Sequence, residues 1–279
     1  MINATSANSS AATFRALHES GCFVLPNPWD AGTAVVLEHL GFKALATTSA
    51  GFAFSRGLPD GGVPRDDMLA HIGEVVAATE LPVNADFMGG YADEPEGVAE
   101  NVARCIATGV AGLSIEDSTG DGAKPLYDFG LAVERIKAAR GAIDASGAPV
   151  VLTARCEAWL VGYPDPFRVA IERLTAFAEA GADCLYAPRV LDPEEIAAIV
   201  KAVSPKPVNV LVSQPNRDLS VSQLADLGVR RISVGSALAT VAWGAFLRAA
   251  RDIATTGSFG AFAEAAPFAE INAVFEKRG

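Results

Sequence analysis

Histidine and cysteine are scarce in this chain of 279 residues, which has three of the first and four of the second. The cysteines, Cys22, Cys105, Cys156 and Cys184, are scattered, with no close pair of the kind that binds zinc or cycles through a disulfide. Free cysteines of this sort are most often small buried hydrophobes. His18, His39 and His71 all fall in helical-looking segments, so a histidine-rich metal centre or a Ser-His-Asp triad has little to build on. Basic residues are also in deficit, 22 Lys and Arg against 33 Asp and Glu, a formal charge of −11. That balance argues against nucleic acid or an anionic membrane surface as the main partner, since both reward clustered positive charge. A small anionic substrate stays open, because a few buried arginines or a metal reverse the sign locally. No apolar run approaches the roughly 18 residues that would suggest a membrane span. The opening MINATSANSSAATF lacks the basic-then-apolar order of a signal peptide, so a cytoplasmic location is expected.

What is present is a regular alternation. Apolar residues make up 50% of the chain and mean hydropathy is +0.27, ample for a large core. Short apolar runs, CFVLP (22–26), ALATT (44–48), PVNAD (82–86), AGLSIED (111–117), PVVLTAR (149–155), ADCLYA (182–187), PVNVLV (207–212) and RRISVG (230–235), are separated by amphipathic stretches such as PEGVAENVARCIATG and FRVAIERLTAFAEAG. Several of these stretches close on the glycine expected just past a helix end. Eight strand-helix alternations predict an α/β fold, a (β/α)8 TIM barrel, as one domain over 1–279 with a helical tail at about 258–279. A doubly wound open sheet is the runner-up, but no GxGxxG follows the first strand.

Barrels of this kind carry their sites at the C-terminal ends of the strands. There the chain places PNPWD, then TTSAGFAFSRGLPDGG, then Asp86, then Glu116 with Asp117, then Arg155 with Glu157. Any one carboxylate could be a cap, and Asp86 before Gly89, Gly90 and Tyr91 reads alone as a capped turn. Several on one rim make a binding site. No lysine ends a strand, so a Schiff-base nucleophile is missing. The VGSA turn (234–237) could offer backbone amides to a phosphate, or simply join strand to helix. Trp29, Phe52, Phe54, Trp159 and Tyr163 could line a pocket or serve as packing.

TTSAGFAFSRGLPD, VNADFMGGYAD, GVAGLSIEDS and LTARCEAW, in this order and spacing, resemble the isocitrate lyase and phosphoenolpyruvate mutase superfamily over roughly residues 20–250. The resemblance implies a barrel whose eighth helix is exchanged with a neighbouring subunit, in a homotetramer built as a dimer of dimers. It implies Mg2+ associated with Asp86 and Glu116, with Asp60 bonded to the metal's waters. Ser49, with the amides of Ala50 and Gly51, would hold the carboxylate of a 2-oxo or 2-hydroxy acid, and Arg155 would contact substrate. A brace to Glu157 or Glu116 is the other reading of Arg155.

Three departures accompany the resemblance. Asn84 stands where the family has the first acid of Asp-Ala-Asp, offering a neutral oxygen for a charged one. The lid loop with its Lys-Arg-Cys-Gly or Lys-Lys-Cys-Gly is replaced by TGDGAKPLYDFG (119–130), which has no cysteine, so Lys124 or Tyr127 becomes the candidate acid. After the sixth strand, Ala187, Pro188 and Arg189 replace the family's glutamate or histidine. The expected function is Mg-dependent C–C bond cleavage in a small 2-oxo or 2-hydroxy acid through an enolate-like intermediate, by lyase, decarboxylase or hydrolase action. The alternative is a non-catalytic or weakly active barrel that binds a carboxylic acid.

Overall fold

The computed structural model describes residues 4–216 and 219–276. Each of the eight apolar runs contains a strand: β1 (Phe23–Leu25), β2 (Leu45–Ala46), β3 (Val83–Asp86), β4 (Gly112–Glu116), β5 (Val151–Arg155), β6 (Cys184–Tyr186), β7 (Val208–Leu211) and β8 (Arg231–Ser233). All pair in parallel, in the order β1-β8-β7-β6-β5-β4-β3-β2. The Ala46 N–H donates to the Pro26 carbonyl at 3.0 Å across the remaining seam, so the sheet curls into a nearly closed barrel. The helices are α1 (Ala4–Leu17), α2 (Ala31–His39), α3 (Ser49–Ser55), α4 (Arg65–Ala77), α5 (Pro95–Ile106), α6 (Phe129–Ser146), α7 (Pro166–Glu179), α8 (Pro193–Val203), α9 (Val221–Asp226), α10 (Ala237–Thr256) and α11 (Phe268–Glu276). Strand and helix alternate as a (β/α)8 barrel requires.

The period of two along each strand sorts its residues to two faces. Leu113, Ile115, Leu152, Leu185 and Val210 pack outward against Val98, Val102, Ile136, Leu174 and Ile199 of the surrounding helices. Each such burial contributes about 1.5–3 kcal/mol. The intervening positions turn inward. Phe23, Leu25, Ala46, Val151 and Cys184 form an apolar lower layer, closed by Ala11 and Phe14 of α1. A Cβ on Gly112 would lie 2.7 Å from the Phe14 ring and 2.7 Å from Asn84 Oδ1, so only glycine admits the Phe14 plug. Arg15 ties α1 down through the Asp183 carboxylate at 3.0 and 3.2 Å.

Two segments hold helices that the sequence reading did not name. The polar opening stretch contains α1, because Ala11 and Phe14 lie on one face of a turn and bury together. TTSAGFAF, placed by the sequence only at the end of the second strand, contains α3, whose N-cap Thr48 accepts from Gly51 N at 3.2 Å through its hydroxyl. The expected C-terminal tail contains a 3-10 turn (Gly260–Glu264) and α11, and residues 277–279 lie outside the described range. In α10 only Ala239 is buried, while Val241, Trp243, Phe246 and Leu247 are exposed. No helix among the described residues is long and apolar enough to cross a membrane.

Candidate active site

Arg155 ends β5 and faces the carboxylates that end β3 and β4. Its Nη1 lies 3.0 Å from Asp86 Oδ1 and 2.8 Å from Glu116 Oε1, and its Nε donates to Glu157 Oε1 at 2.7 Å. The strand register explains the meeting, since Glu116 pairs with Arg155 and Asp86 pairs with Ser114 on neighbouring strands. Asp86 is held from the other side by Ser49, whose N–H and hydroxyl both donate to Oδ2, at 2.9 and 2.8 Å. Glu157 is fully buried. Its own amide donates to Asp117 Oδ1 at 2.8 Å, and Arg173 binds the other Asp117 oxygen at 3.1 Å. The guanidinium of Arg155 also stacks 4.9 Å from the centre of the Tyr186 ring.

The cluster carries more negative than positive charge. Burial, then the charges of Glu157, Asp86 and Asp60, hold the Glu116 carboxyl well above the usual range, against the pull of Arg155. Burial raises Glu157 too, again opposed by Arg155. Partial burial and then the Asp86 carboxylate raise Asp60, which puts this residue of the turn after α3 within electrostatic reach of the cluster. Burial works against the charge of Arg155, yet Glu116, Glu157 and Asp86 keep it firmly protonated.

The loop after β3 takes an unusual path. Met88, Gly90 and Tyr91 all have positive φ, at 49°, 77° and 56°. For non-glycine residues this backbone is costly and persists where surroundings over-determine it. Here Asn101 Nδ2 donates to the Gly90 and Tyr91 carbonyls, and the buried Arg135 donates to those of Gly89, Ala92 and Asp93. Arg135 also lies 4.0 Å over the Tyr127 ring, which fastens the loop after β4 to the loop after β3. The Tyr91 hydroxyl is buried without a hydrogen-bond partner. Burial raises its pKa, and so do the nearby charges of Asp86 and Glu116.

Of the expected site residues, Ser49, Asp86, Glu116 and Arg155 are brought into one cluster, with Asp60 nearby. Asn84 lies one layer deeper on the same face of β3; its Nδ2 donates to the Ala85 carbonyl and its Oδ1 is buried without a partner. The Gly51 amide is already given to Thr48, and Ala50 follows Ser49 in the first turn of α3. Lys124 is not brought in: its side chain is 60% exposed and paired with Asp128 at 2.7 Å. The Tyr127 hydroxyl donates to Asp93. Two of the VGSA amides are not free for a phosphate, because Val234 N and Gly235 N both donate to Asn27 Oδ1, at 3.0 and 2.8 Å. Trp159 and Tyr163 pack on the outer core, and Phe52 stacks on His71 with ring centres 3.7 Å apart. Trp29 joins Trp243 and Phe246 in an apolar pocket beside α10. Sequence reasoning placed Asp117 and Glu157 on the rim, but missed the pairing of Asp117 with Arg173 and the clamp of Arg135. The buried charges inside ERIKAAR and IERL, on otherwise apolar helix faces, are the signal that could have found the two arginines.

Among the described residues no three His, Cys, Asp or Glu side chains converge into a cage. Magnesium needs none, since it commonly binds through one or two carboxylates and keeps several waters. Asp86 and Glu116 supply hard oxygens in a cluster with surplus negative charge, and the orphaned Asn84 Oδ1 could accept a hydrogen bond from a water of such an ion. These residues fit such an ion.

A parallel barrel with a carboxylate-lined mouth at its strand ends has the architecture of an α/β-barrel enzyme. The family model for phosphoenolpyruvate phosphomutase matches residues 14–254, and the chain belongs to that family of enzymes. An uncharacterized protein of Mycobacterium tuberculosis is 36% identical over 264 residues, 94% of this chain and 95% of its own. The crystal structure of a candidate lyase/mutase from Burkholderia cenocepacia J2315 shares 49% identity at a TM-score of 0.93, covering 98% of this chain and 97% of that one. Oxaloacetate acetylhydrolase, solved with its product oxalate, shares 27% identity at a TM-score of 0.83, covering 96% of this chain and 94% of that one.

Proposed function

We propose that the chain is a magnesium-dependent enzyme that cleaves a C–C bond in a small 2-oxo or 2-hydroxy carboxylic acid through an enolate-like intermediate. The convergence of Asp86, Glu116 and Arg155 beside the Ser49 donors carries this reading. Asp86 and Glu116, with Asn84 below, would hold the ion. When bound, magnesium polarises the 2-oxo or 2-hydroxy oxygen as a Lewis acid. Ser49 and the Ala50 amide bind the substrate carboxylate, with Ser49 turning from Asp86 to do so. Once turned onto the substrate, hydrogen bonds of this kind stabilise charge as it develops. Glu157 grips the Nε edge of Arg155 and leaves Nη1 directed at the reacting end.

Lys124 is turned to Asp128, and the Tyr127 proton is given to Asp93. A reaction whose leaving group needs no lid-borne acid therefore suits the site best, which favours decarboxylation, where CO2 departs without a proton; in hydrolytic cleavage, the type of the structural neighbour oxaloacetate acetylhydrolase, the departing carbanion would take its proton from water. The test is to incubate the protein with oxaloacetate or methylisocitrate, with magnesium or with a chelator, and to follow products by NMR. Magnesium-dependent product that disappears in Asp86→Ala supports the assignment. A second reading has its own observation: both Asp86 oxygens are already engaged, by Ser49 and Arg155, which suits a barrel that only binds acids. Oxalate binding with no turnover of any acid tried would favour that reading.

The exposed apolar residues of α10, with Phe268 and Ile271 of α11, support assembly as a homo-oligomer in which a second copy covers this face. Light scattering at micromolar concentration tests it, and a monomer would overturn it.

A further inference from the structure

Below the rim the barrel holds a second arginine in a different setting. Arg231, on β8, points into the interior and is 2% exposed. Its partners are all neutral: Nε donates to Asn209 Oδ1 at 2.8 Å, Nη2 to Thr153 Oγ1 at 2.9 Å, and Nη1 lies 3.2 Å from His18 Nε2. The His18 ring contacts the Phe14 carbonyl through Nδ1 at 2.8 Å, which leaves Nε2 as the acceptor. No carboxylate among the described residues pairs with this guanidinium. An ion buried without a counter-charge is expensive, by several kcal/mol even after relaxation.

Arg231 also lines a cavity of about 40 Å³ that runs down the barrel axis from Arg155 and Asp86, past Asn84, to Asn209. A water needs roughly 10–15 Å³ by the same measure, so the space admits a small ion together with a water. Two observations on its walls are incomplete. The guanidinium has five N–H donors, of which three are used by the partners above. Asn84 Oδ1, also on the wall, is buried and accepts nothing.

We propose that this chamber is a binding site for a small monovalent anion, a halide or a single carboxylate group, seated on Arg231. The anion supplies the missing counter-charge and takes the free guanidinium donors. A water beside it donates one proton to Asn84 Oδ1 and the other to the anion, so both incomplete groups are satisfied. The apolar floor of Leu25 and Ala46 sets the size limit and disfavours a strongly hydrated dianion. Burial lowers the pKa of Arg231, as expected for a cation lacking its partner. The chamber shares Asn84 and its upper wall of Asp86 and Arg155 with the rim, while Arg231 takes no part in the reaction proposed there.

Bromide is the probe, because it scatters anomalously and matches the chamber in charge and size. Crystals of the full-length protein grown in sodium bromide should show one anomalous peak in contact with Arg231. Adding oxalate then distinguishes the sources. Bromide that stays marks a site for a free inorganic anion, and a carboxylate oxygen replacing it at Arg231 marks a subsite of the acid ligand. In solution, bromide should raise the folded-to-unfolded ratio about tenfold for each tenfold increase above its dissociation constant, relative to the sodium salt of morpholinoethanesulfonate, an anion too bulky for the chamber, at equal ionic strength. Arg231→Gln should remove that increment, and the wild-type measurements decide the matter even if this variant fails to fold. A chamber holding only water in every crystal, or bromide and morpholinoethanesulfonate stabilising equally, would overturn the proposal.

Discussion

Arg155 and Arg231 sit in the same barrel, on strands that both face its axis, and their surroundings are opposite. Arg155 at the rim meets three carboxylates within 3.0 Å. Arg231 at the floor meets an amide, a hydroxyl and an imidazole. The rim thus has negative charge to spare and the floor has positive charge to spare, and the potential changes sign over the length of one short strand. Each end is suited to a different guest, a cation above and an anion below.

The strongest way to break the contrast is at the rim. Arg155→Met leaves the fully buried Glu157 without a partner and frees Asp86 and Glu116 to repel, so a loss of about 3–5 kcal/mol is expected in urea unfolding. Product formation should vanish with it. Arg155→Lys should recover little, because one ammonium cannot reproduce the fork that reaches three carboxylates.

At the floor the expected cost is smaller. Arg231→Met forfeits three hydrogen bonds to neutral groups, about 0.5–1.5 kcal/mol each, and the cost should shrink further in buffers without small anions. A sharper readout is His18, whose pKa is pressed down to about 3 by burial first and the Arg231 charge second. In Arg231→Met it should rise toward its ordinary value, as a histidine NMR titration would show. In the native protein the unfolded chain binds the His18 proton at a higher pH than the folded one. Stability therefore falls as pH drops from about 6.5 toward 3.

Glu116 predicts the opposite slope. Its folded pKa is raised, so the folded state holds a proton that the unfolded state releases, and stability falls as pH rises from about 4.5 through neutrality. Glu116→Gln should flatten that part of the profile, and magnesium should do the same for the native protein by compensating the carboxylate. An unchanged slope in both experiments would contradict the charge surplus at the rim. The smallest effect is expected at Lys124, whose pairing with Asp128 is exposed. Lys124→Met should change stability by less than about 0.5 kcal/mol. Its turnover should remain within twofold, and a large loss would restore Lys124 as an acid.

The barrel and its rim were legible because they depend on local signals. Parallel strands buried on both faces read as apolar runs, and residues at their ends fall on one side by topology alone. Asp86, Glu116 and Arg155 could be named for that reason. The floor was hidden because Arg231 reads as half of an Arg-Arg pair opening an apolar run. Only the pleat decides that Arg230 reaches outward, to the Gly21 carbonyl, while its neighbour enters the barrel. The fate of Asp86 was equally illegible. Its engagement by Ser49 joins residues 37 apart, and it depends on how α3 leaves β2. The plug was missed because a polar, small-residue opening gives little period to read, and Phe14 finds its place only through the gap left by Gly112.

Because Phe14 stops the lower end, the barrel is a cup with one opening. Whatever enters must leave by the same route, so a product retained at the rim stands directly in the path of the next substrate. Inhibition by product should therefore be competitive, and exchange should be no faster than the departure of the last molecule formed.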